Sequence, residues 1–205
     1  MKLVVIDTET GGLNPVDYSI LTLGACVWEN GHITGSPFHM YIHEDVMATS
    51  PEALRINGIT SEQMRSGKTP SFVVTAFEQW LRDQGVQGKP TLGGHNIAGF
   101  DMGFLKRLYR LAIKKMPFDY HVVDTMSLAF ALRLIGKLNV PNVKLDTLSD
   151  YFGVRVREGG VAGAHRSDED AIATAKVLTG LLRLIDSNVF PDEVAGNGLE
   201  TQPVS

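Results

Sequence analysis

The segment Leu3-Val4-Val5-Ile6-Asp7-Thr8-Glu9-Thr10-Gly11-Gly12 constrains this chain most. Four apolar residues run directly into two carboxylates spaced two apart, and a glycine turn follows. An apolar run of this length reads as a strand buried on both faces, and so a central one. A strand sends residues i and i+2 to the same face. Asp7 and Glu9 therefore point the same way at its end. Two like charges that close repel, and burying them is costly unless something pairs with them. A divalent cation is the simplest partner. The segment reads as half of a metal site, and the other half must lie elsewhere in the chain.

The rest of the sequence alternates in a way that builds a sheet. After the strand at residues 2–8, residues 19–28 and 32–43 read as two more, joined by the tight-turn pair Asn30-Gly31. Ser50-Pro51 opens a short helix that Gly58 stops. Phe72, Val73, Ala76, Phe77, Trp80 and Leu81 recur at helical spacing, which predicts an amphipathic helix over 70–83. A strand follows at 91–95, a helix at 101–115 and a strand at 121–124. Helical segments near 125–135 and 144–152 and a last helix over 168–185 complete the pattern. Three leading strands followed by alternating helices and strands give an α/β fold, a mixed sheet flanked by helices. With 205 residues the chain suits one domain, expected over residues 1–186. Residues 187–205 carry Pro, Gly and few large apolar side chains, and read as a mobile or surface-lying tail.

Composition excludes several classes. A net charge of −4 argues against binding nucleic acid by electrostatics alone. It leaves room for an enzyme that acts on nucleic acid through metal ions, which supply positive charge locally. The lone Cys26 rules out an internal disulfide and a cysteine-built zinc site, and reads as a buried core residue. No signal-peptide core and no run of about 20 apolar residues is present, so a cytoplasmic protein is expected.

Two helices begin with a carboxylate on the inward stripe. In the first, Asp101 precedes Phe104 and Leu105 by three and four residues, and Leu108, Leu111 and Ala112 continue the stripe. In the last helix Asp170 aligns with Val177, Leu178, Leu181 and Ile185. Each Asp is thus aimed at the core from the first turn. A second explanation stands beside this one. Acids favour helix starts through the macrodipole, and Ser167-Asp168-Glu169-Asp170 resembles a capping box with Asp in place of Glu. His165 lies just before this helix, on a loop containing Gly159, Gly160 and Gly163, and could overhang the site that Asp170 enters. Lys106, Arg107, Arg110, Lys114 and Lys115 form a basic outer face after Asp101. It reads either as a solvated face or as a phosphate track.

These residues occur in the order Asp-x-Glu, Asp, His-x4-Asp, and in that order the chain resembles the DEDDh 3′–5′ exonucleases. That family includes the proofreading epsilon subunit, ribonuclease T and oligoribonuclease. The resemblance spans about residues 3–185. It rests on Val5-Ile6-Asp7-Thr8-Glu9-Thr10-Gly11-Gly12-Leu13, on His95-Asn96-Ile97-Ala98-Gly99-Phe100-Asp101 and on His165-Arg166-Ser167-Asp168-Glu169-Asp170-Ala171. The stretch from Pro51 to Thr60 also resembles one that recurs between the first two motifs. Arg166 stands where the sister group has tyrosine. The second motif is one residue longer than in many members, and Ser167 stands where alanine is common. The five-residue step from His165 selects Asp170 over Asp168.

The resemblance implies a ribonuclease H-like fold of five strands, the second antiparallel to the others. It implies two divalent cations, Mg²⁺ with Mn²⁺ able to substitute, held by Asp7, Glu9, Asp101 and Asp170. His165 would accept a proton from the attacking water, and nucleoside 5′-monophosphates would leave one at a time from a 3′ end. The substrate would be nucleic acid with a free 3′ end, single-stranded at the terminus. A polymerase or another replication or repair protein would be the partner. Thr10, Gly11, Gly12, Leu13, Asn96 and Phe100 are the expected substrate contacts, with Leu13 wedged against the last base or anchoring its own loop. For His95 a structural hydrogen bond is expected. An RNA-trimming enzyme of the ribonuclease T or oligoribonuclease type and a non-catalytic nucleic-acid-binding domain of the same fold are the alternatives. A phosphotransferase with Asp7 as nucleophile fits less well, because Glu9 stands where a second Asp is needed.

Overall fold

The computed structural model describes residues 1–154, 166–187 and 189–190. Five strands form one sheet: β1 (Lys2–Thr10), β2 (Ile20–Glu29), β3 (His32–Tyr41), β4 (Thr91–Gly94) and β5 (Val122–Asp124). Their spatial order is β3-β2-β1-β4-β5. β2 runs antiparallel to β1 and to β3, while β4 is parallel to β1 and β5 parallel to β4. The second strand is thus the one reversed strand, as the sequence led us to expect. At the β2–β3 turn Asn30 and Gly31 both take positive φ, 50° and 88°. These are the two left-handed positions of a turn that matches the twist of a hairpin.

Seven helices are described: α1 (Pro51–Asn57), α2 (Ser61–Ser66), α3 (Pro70–Asp83), α4 (Asp101–Leu111), α5 (Thr125–Leu134), α6 (Leu145–Tyr151) and α7 (Ser167–Ile185). α2 is absent from the sequence-based reading, although its signal is present. The Thr60 hydroxyl accepts from the Gln63 backbone, and the Gln63 side chain returns a bond to the Thr60 N–H. That reciprocal pair is a capping box. α4 ends at Leu111 rather than running to 115, because Ile113 turns left-handed at φ 54° and closes the last turn. An isoleucine rarely adopts that conformation, so nothing in the local sequence announces the stop.

The period-2 alternation of β1 divides the core. Val4 and Ile6 pack with Val73, Phe77, Phe104 and Leu108 of α3 and α4 on one face. Leu3 and Val5 pack with Cys26, Ala171, Ala175 and Leu178 against α7 on the other. By the same alternation Asp7 and Glu9 continue the α7 face, and Thr8 continues the α4 face. Cys26 is fully buried, and burial pushes its thiol up to about 12. Phe190 lies edge-on to Trp28 with ring centroids 5.6 Å apart. Phe190 therefore rests on the sheet, and the tail beyond it lies outside the described residues. No described helix is long and apolar enough to cross a membrane.

Candidate active site

The site forms where β1 ends between α4 and α7. Asp7 and Glu9 meet Asp170 there, with one carboxylate oxygen of each within 4.8 Å of the others. Asp170 is 5% exposed although it lies only three residues into its helix, so the inward stripe, and not just the macrodipole, fixes its place. Asp101 arrives from the opposite face, 3% exposed. The Thr8 hydroxyl donates to its Oδ1 at 2.7 Å. The strand thus handles all four acids. Its odd positions supply two carboxylates toward α7, and the even residue between them anchors the fourth from α4.

The electrostatics show four acids crowded together. Burial first, then Asp101, Glu9 and Asp170 in that order, raise the carboxyl of Asp7 well above its usual range. Burial raises Asp101 to about 7, against the opposing pull of its Thr8 hydrogen bond. A cation bound beside Asp7 and Asp101 would favour their charged forms and displace the proton that burial keeps on Asp101. The donors are all hard carboxylate oxygens, the set that Mg²⁺ and Mn²⁺ prefer over soft metals.

α7 owes its seat to close contact with β2. A Cβ on Gly24 would lie 2.1 Å from the Ser167 carbonyl carbon and 2.3 Å from the Asp168 nitrogen, so only glycine lets the helix start this near the sheet. The Thr22 hydroxyl accepts from the Glu9 N–H at 3.3 Å and donates to the Ser167 hydroxyl at 2.9 Å. This corrects the capping-box reading of Ser167-Asp168-Glu169-Asp170. Arg166 is the cap residue and makes no side-chain cap bond, while the fully buried Ser167 spends its hydroxyl on Thr22. Asp168 is engaged elsewhere as well: both its oxygens accept from the Arg166 guanidinium, at 3.2 and 3.0 Å. His165, the expected base, lies outside the described residues.

Beside the carboxylates opens a cavity of about 570 Å³. Thr10, Gly12, Leu13 and Phe100, four of the six expected substrate contacts, are among the residues that line it. Leu13 is 84% exposed, so it does not anchor its loop. Gly11 and Asn96 are not in the lining. A Cβ on Gly11 would meet the Ala48 carbonyl at 2.2 Å, so that glycine serves packing. Asn96 turns the chain at φ 61°, its N–H held by Asp124 at 3.0 Å. The His95 imidazole Nδ1 bonds Thr125 at 2.9 Å, the structural role expected of it. The sequence-based reading missed the far wall: Tyr18 and, from α1, Glu52, Ile56 and Asn57. Asn57 ties that wall to β1, donating to the Thr10 carbonyl at 3.1 Å. Its signal was the Pro51–Thr60 stretch, to which the resemblance attached no role.

Comparison with known proteins agrees with this geometry. The profile of the RNase_T family, described as exonuclease, matches residues 4–178. The DNA polymerase III subunit epsilon of Pasteurella multocida is 30% identical over 185 residues, covering 87% of this chain and 68% of that protein. PolC-type DNA polymerase III of Bacillus subtilis is 29% identical over 185 residues. There the chain spans only 11% of the larger protein, against 88% of its own length. Exonuclease I of E. coli, solved with a dA16 oligonucleotide, shares the fold at a TM-score of 0.72 and 19% identity, over 92% of this chain and 42% of that one.

Proposed function

Because the chain belongs to the RNase_T exonuclease family, we propose that it hydrolyses single-stranded 3′ ends of DNA, releasing nucleoside 5′-monophosphates. The observation that carries this reading is the convergence of Asp7, Glu9 and Asp170, with Asp101 charging the same spot from the opposite face. Asp7, Glu9, Asp101 and Asp170 would hold a pair of divalent cations, Mg²⁺ by preference with Mn²⁺ as a substitute. Bound there, such a pair supplies charge stabilisation to an in-line displacement at phosphorus. The chain's own residues do the rest. Leu13 and Phe100 hold the terminal base against the cavity wall, and Thr10 and Gly12 form its floor. Thr8 keeps the Asp101 carboxylate turned toward Asp7. An imidazole nitrogen of His165 accepts the proton of the attacking water, since imidazole titrates near neutrality.

Two features favour DNA over the RNA-trimming alternative. The sequence relatives named above are a DNA polymerase III epsilon subunit and a PolC-type DNA polymerase III, and the fold relative was solved with a dA16 oligonucleotide. The same relatives support a DNA polymerase as partner. The domain reading of residues 1–186 with a separate tail belongs to the same proposal. The non-catalytic alternative lacks support, since a domain that only binds has no need of four clustered acids.

The test offers 5′-labelled single- and double-stranded DNA and RNA of one sequence with Mg²⁺ or Mn²⁺, using Asp7→Ala and a chelator as controls. A ladder of 3′-shortened products, fastest on single-stranded DNA, is expected. Internal cuts at the earliest time would make the protein an endonuclease. No shortening of any substrate would end the enzyme reading.

A further inference from the structure

The loop that carries Leu13 has a second face. Beyond Leu13 it makes a rigid turn, in which the Asn14 side chain accepts from the Val16 N–H at 2.9 Å and donates to Asp17 at 2.6 Å. The turn rests directly on α4. A Cβ on Gly103 would lie 2.8 Å from the Pro15 ring, so the missing side chain in the first turn of α4 is what admits the loop. Arg107 then pins it, donating to the carbonyls of Pro15 and Val16 at 3.1 and 3.2 Å. Arg107 itself is held by the buried Glu44, at 3.1 and 2.6 Å. Between loop and helix runs a groove of about 160 Å³, lined by Pro15, Val16, Gly103, Lys106, Arg107 and Arg110.

The charges on this helix and just past its end are not equivalent. Arg107 is satisfied by Glu44, and Lys114 by Glu78 at 2.8 Å. Among the described residues, no carboxylate pairs with Lys106 or Arg110. They stand one turn apart, both exposed, on the wall of a preformed groove. Val16 shares the groove lining with them and is 74% exposed, and Leu13, on the cavity side of the same loop, is 84% exposed. Bare cations beside exposed apolar side chains are what a single strand needs, since phosphates meet the first and bases rest on the second.

We propose that this groove is a second nucleic-acid subsite, in which Lys106 and Arg110 hold a backbone phosphate of the substrate strand upstream of the scissile bond. It rests on the exonuclease reading. The terminal nucleotide occupies the cavity on the Gly12–Leu13 side of the loop, and the strand crosses the loop to reach the groove on the Pro15–Val16 side. The Cα atoms of Leu13 and Pro15 are at most about 7.2 Å apart, close to the rise of two stacked nucleotides. The subsite gives grip on longer strands and takes no part in the chemistry.

The test compares wild type with Lys106→Ala/Arg110→Ala on two substrates. One is a single-stranded 12-mer. The other is the p-nitrophenyl ester of thymidine 5′-monophosphate, which has nothing upstream of the scissile phosphate except the nitrophenyl group. For the 12-mer, KM should rise about tenfold at low salt with kcat unchanged, and the ester should be cleaved as by wild type. The log–log salt dependence of 12-mer binding, followed by fluorescence anisotropy in EDTA, should flatten by about 0.7 for each phosphate that is no longer neutralised. Lys106→Arg/Arg110→Lys should restore both. Unchanged KM and salt slope would reduce the groove to a solvated face, and equal losses on both substrates would assign these residues to the site itself. If wild type cleaves neither substrate the exonuclease reading fails, while weaker anisotropy binding by the double variant would still support the groove.

Discussion

Burial first, and then three other carboxylates, hold the Asp7 carboxyl above its usual range, and burial does the same to Asp101, which makes the metal-free protein sensitive to pH. An ordinary aspartate loses its proton near 3.8, whereas Asp101 in the folded protein keeps it until about 7. Between those values the folded state binds a proton that the unfolded state lacks, so stability falls as pH rises. In EDTA, Tm should be higher at pH 5 than at pH 8. Asp101→Asn retains an acceptor for Thr8 but carries no charge. It should shrink that difference and match or exceed wild-type Tm at pH 8, with activity lost. A scan of Tm against pH for both proteins checks this, and an Asp101→Asn profile as steep as wild type would refute it. His165→Ala should lower kcat by about 10²–10⁴ and leave metal-induced stabilisation intact. Calorimetry and single-turnover kinetics on one preparation separate those two effects.

At the scale of elements, the contact between β2 and the start of α7 decides whether Asp170 reaches Asp7. Gly24→Ala places a methyl group where the Ser167 backbone lies. Overpacking of this kind costs about 1–3 kcal/mol, and it would also push Asp170 off the site. Urea denaturation should show the stability loss, and activity should fall by more than that loss explains. Ser167→Ala is the gentler probe. It leaves the buried Thr22 hydroxyl without its acceptor, at a cost of about 1–3 kcal/mol, while the helix keeps its position and kcat stays near wild type. Equal activity losses in the two variants would contradict this division.

Four acids gather at one end of the molecule, and cations bound there should stabilise the whole fold. A ligand at a hundred times its Kd adds about 2.7 kcal/mol of stability, or about 5–10 °C in Tm for a domain of this size. Saturating Mn²⁺ or Mg²⁺ should raise Tm by that amount, and Asp7→Asn should abolish the rise. At the other end of the leucine loop, Glu44 and Arg107 tie three separate segments together. Arg107→Ala strands the buried Glu44 carboxylate, a loss of about 3 kcal/mol. Chemical denaturation measures it directly.

Local sequence dictates the central strand, the face that Asp7 and Glu9 share and the inward stripes that bury Asp101 and Asp170. Each of these is a consequence of short-range periodicity, two residues in a strand and about 3.6 in a helix. Motif order then supplied the family, and with it the reversed second strand. What is non-local stayed hidden. That Thr8 would hold Asp101, that Thr22 would claim the Ser167 hydroxyl and that Gly24 makes way for α7 all depend on segments 93, 145 and about as many residues apart meeting in space. The far wall of the cavity and the groove beside Arg107 were hidden for the same reason. A partner's identity is a property of packing, and no period in the sequence encodes it.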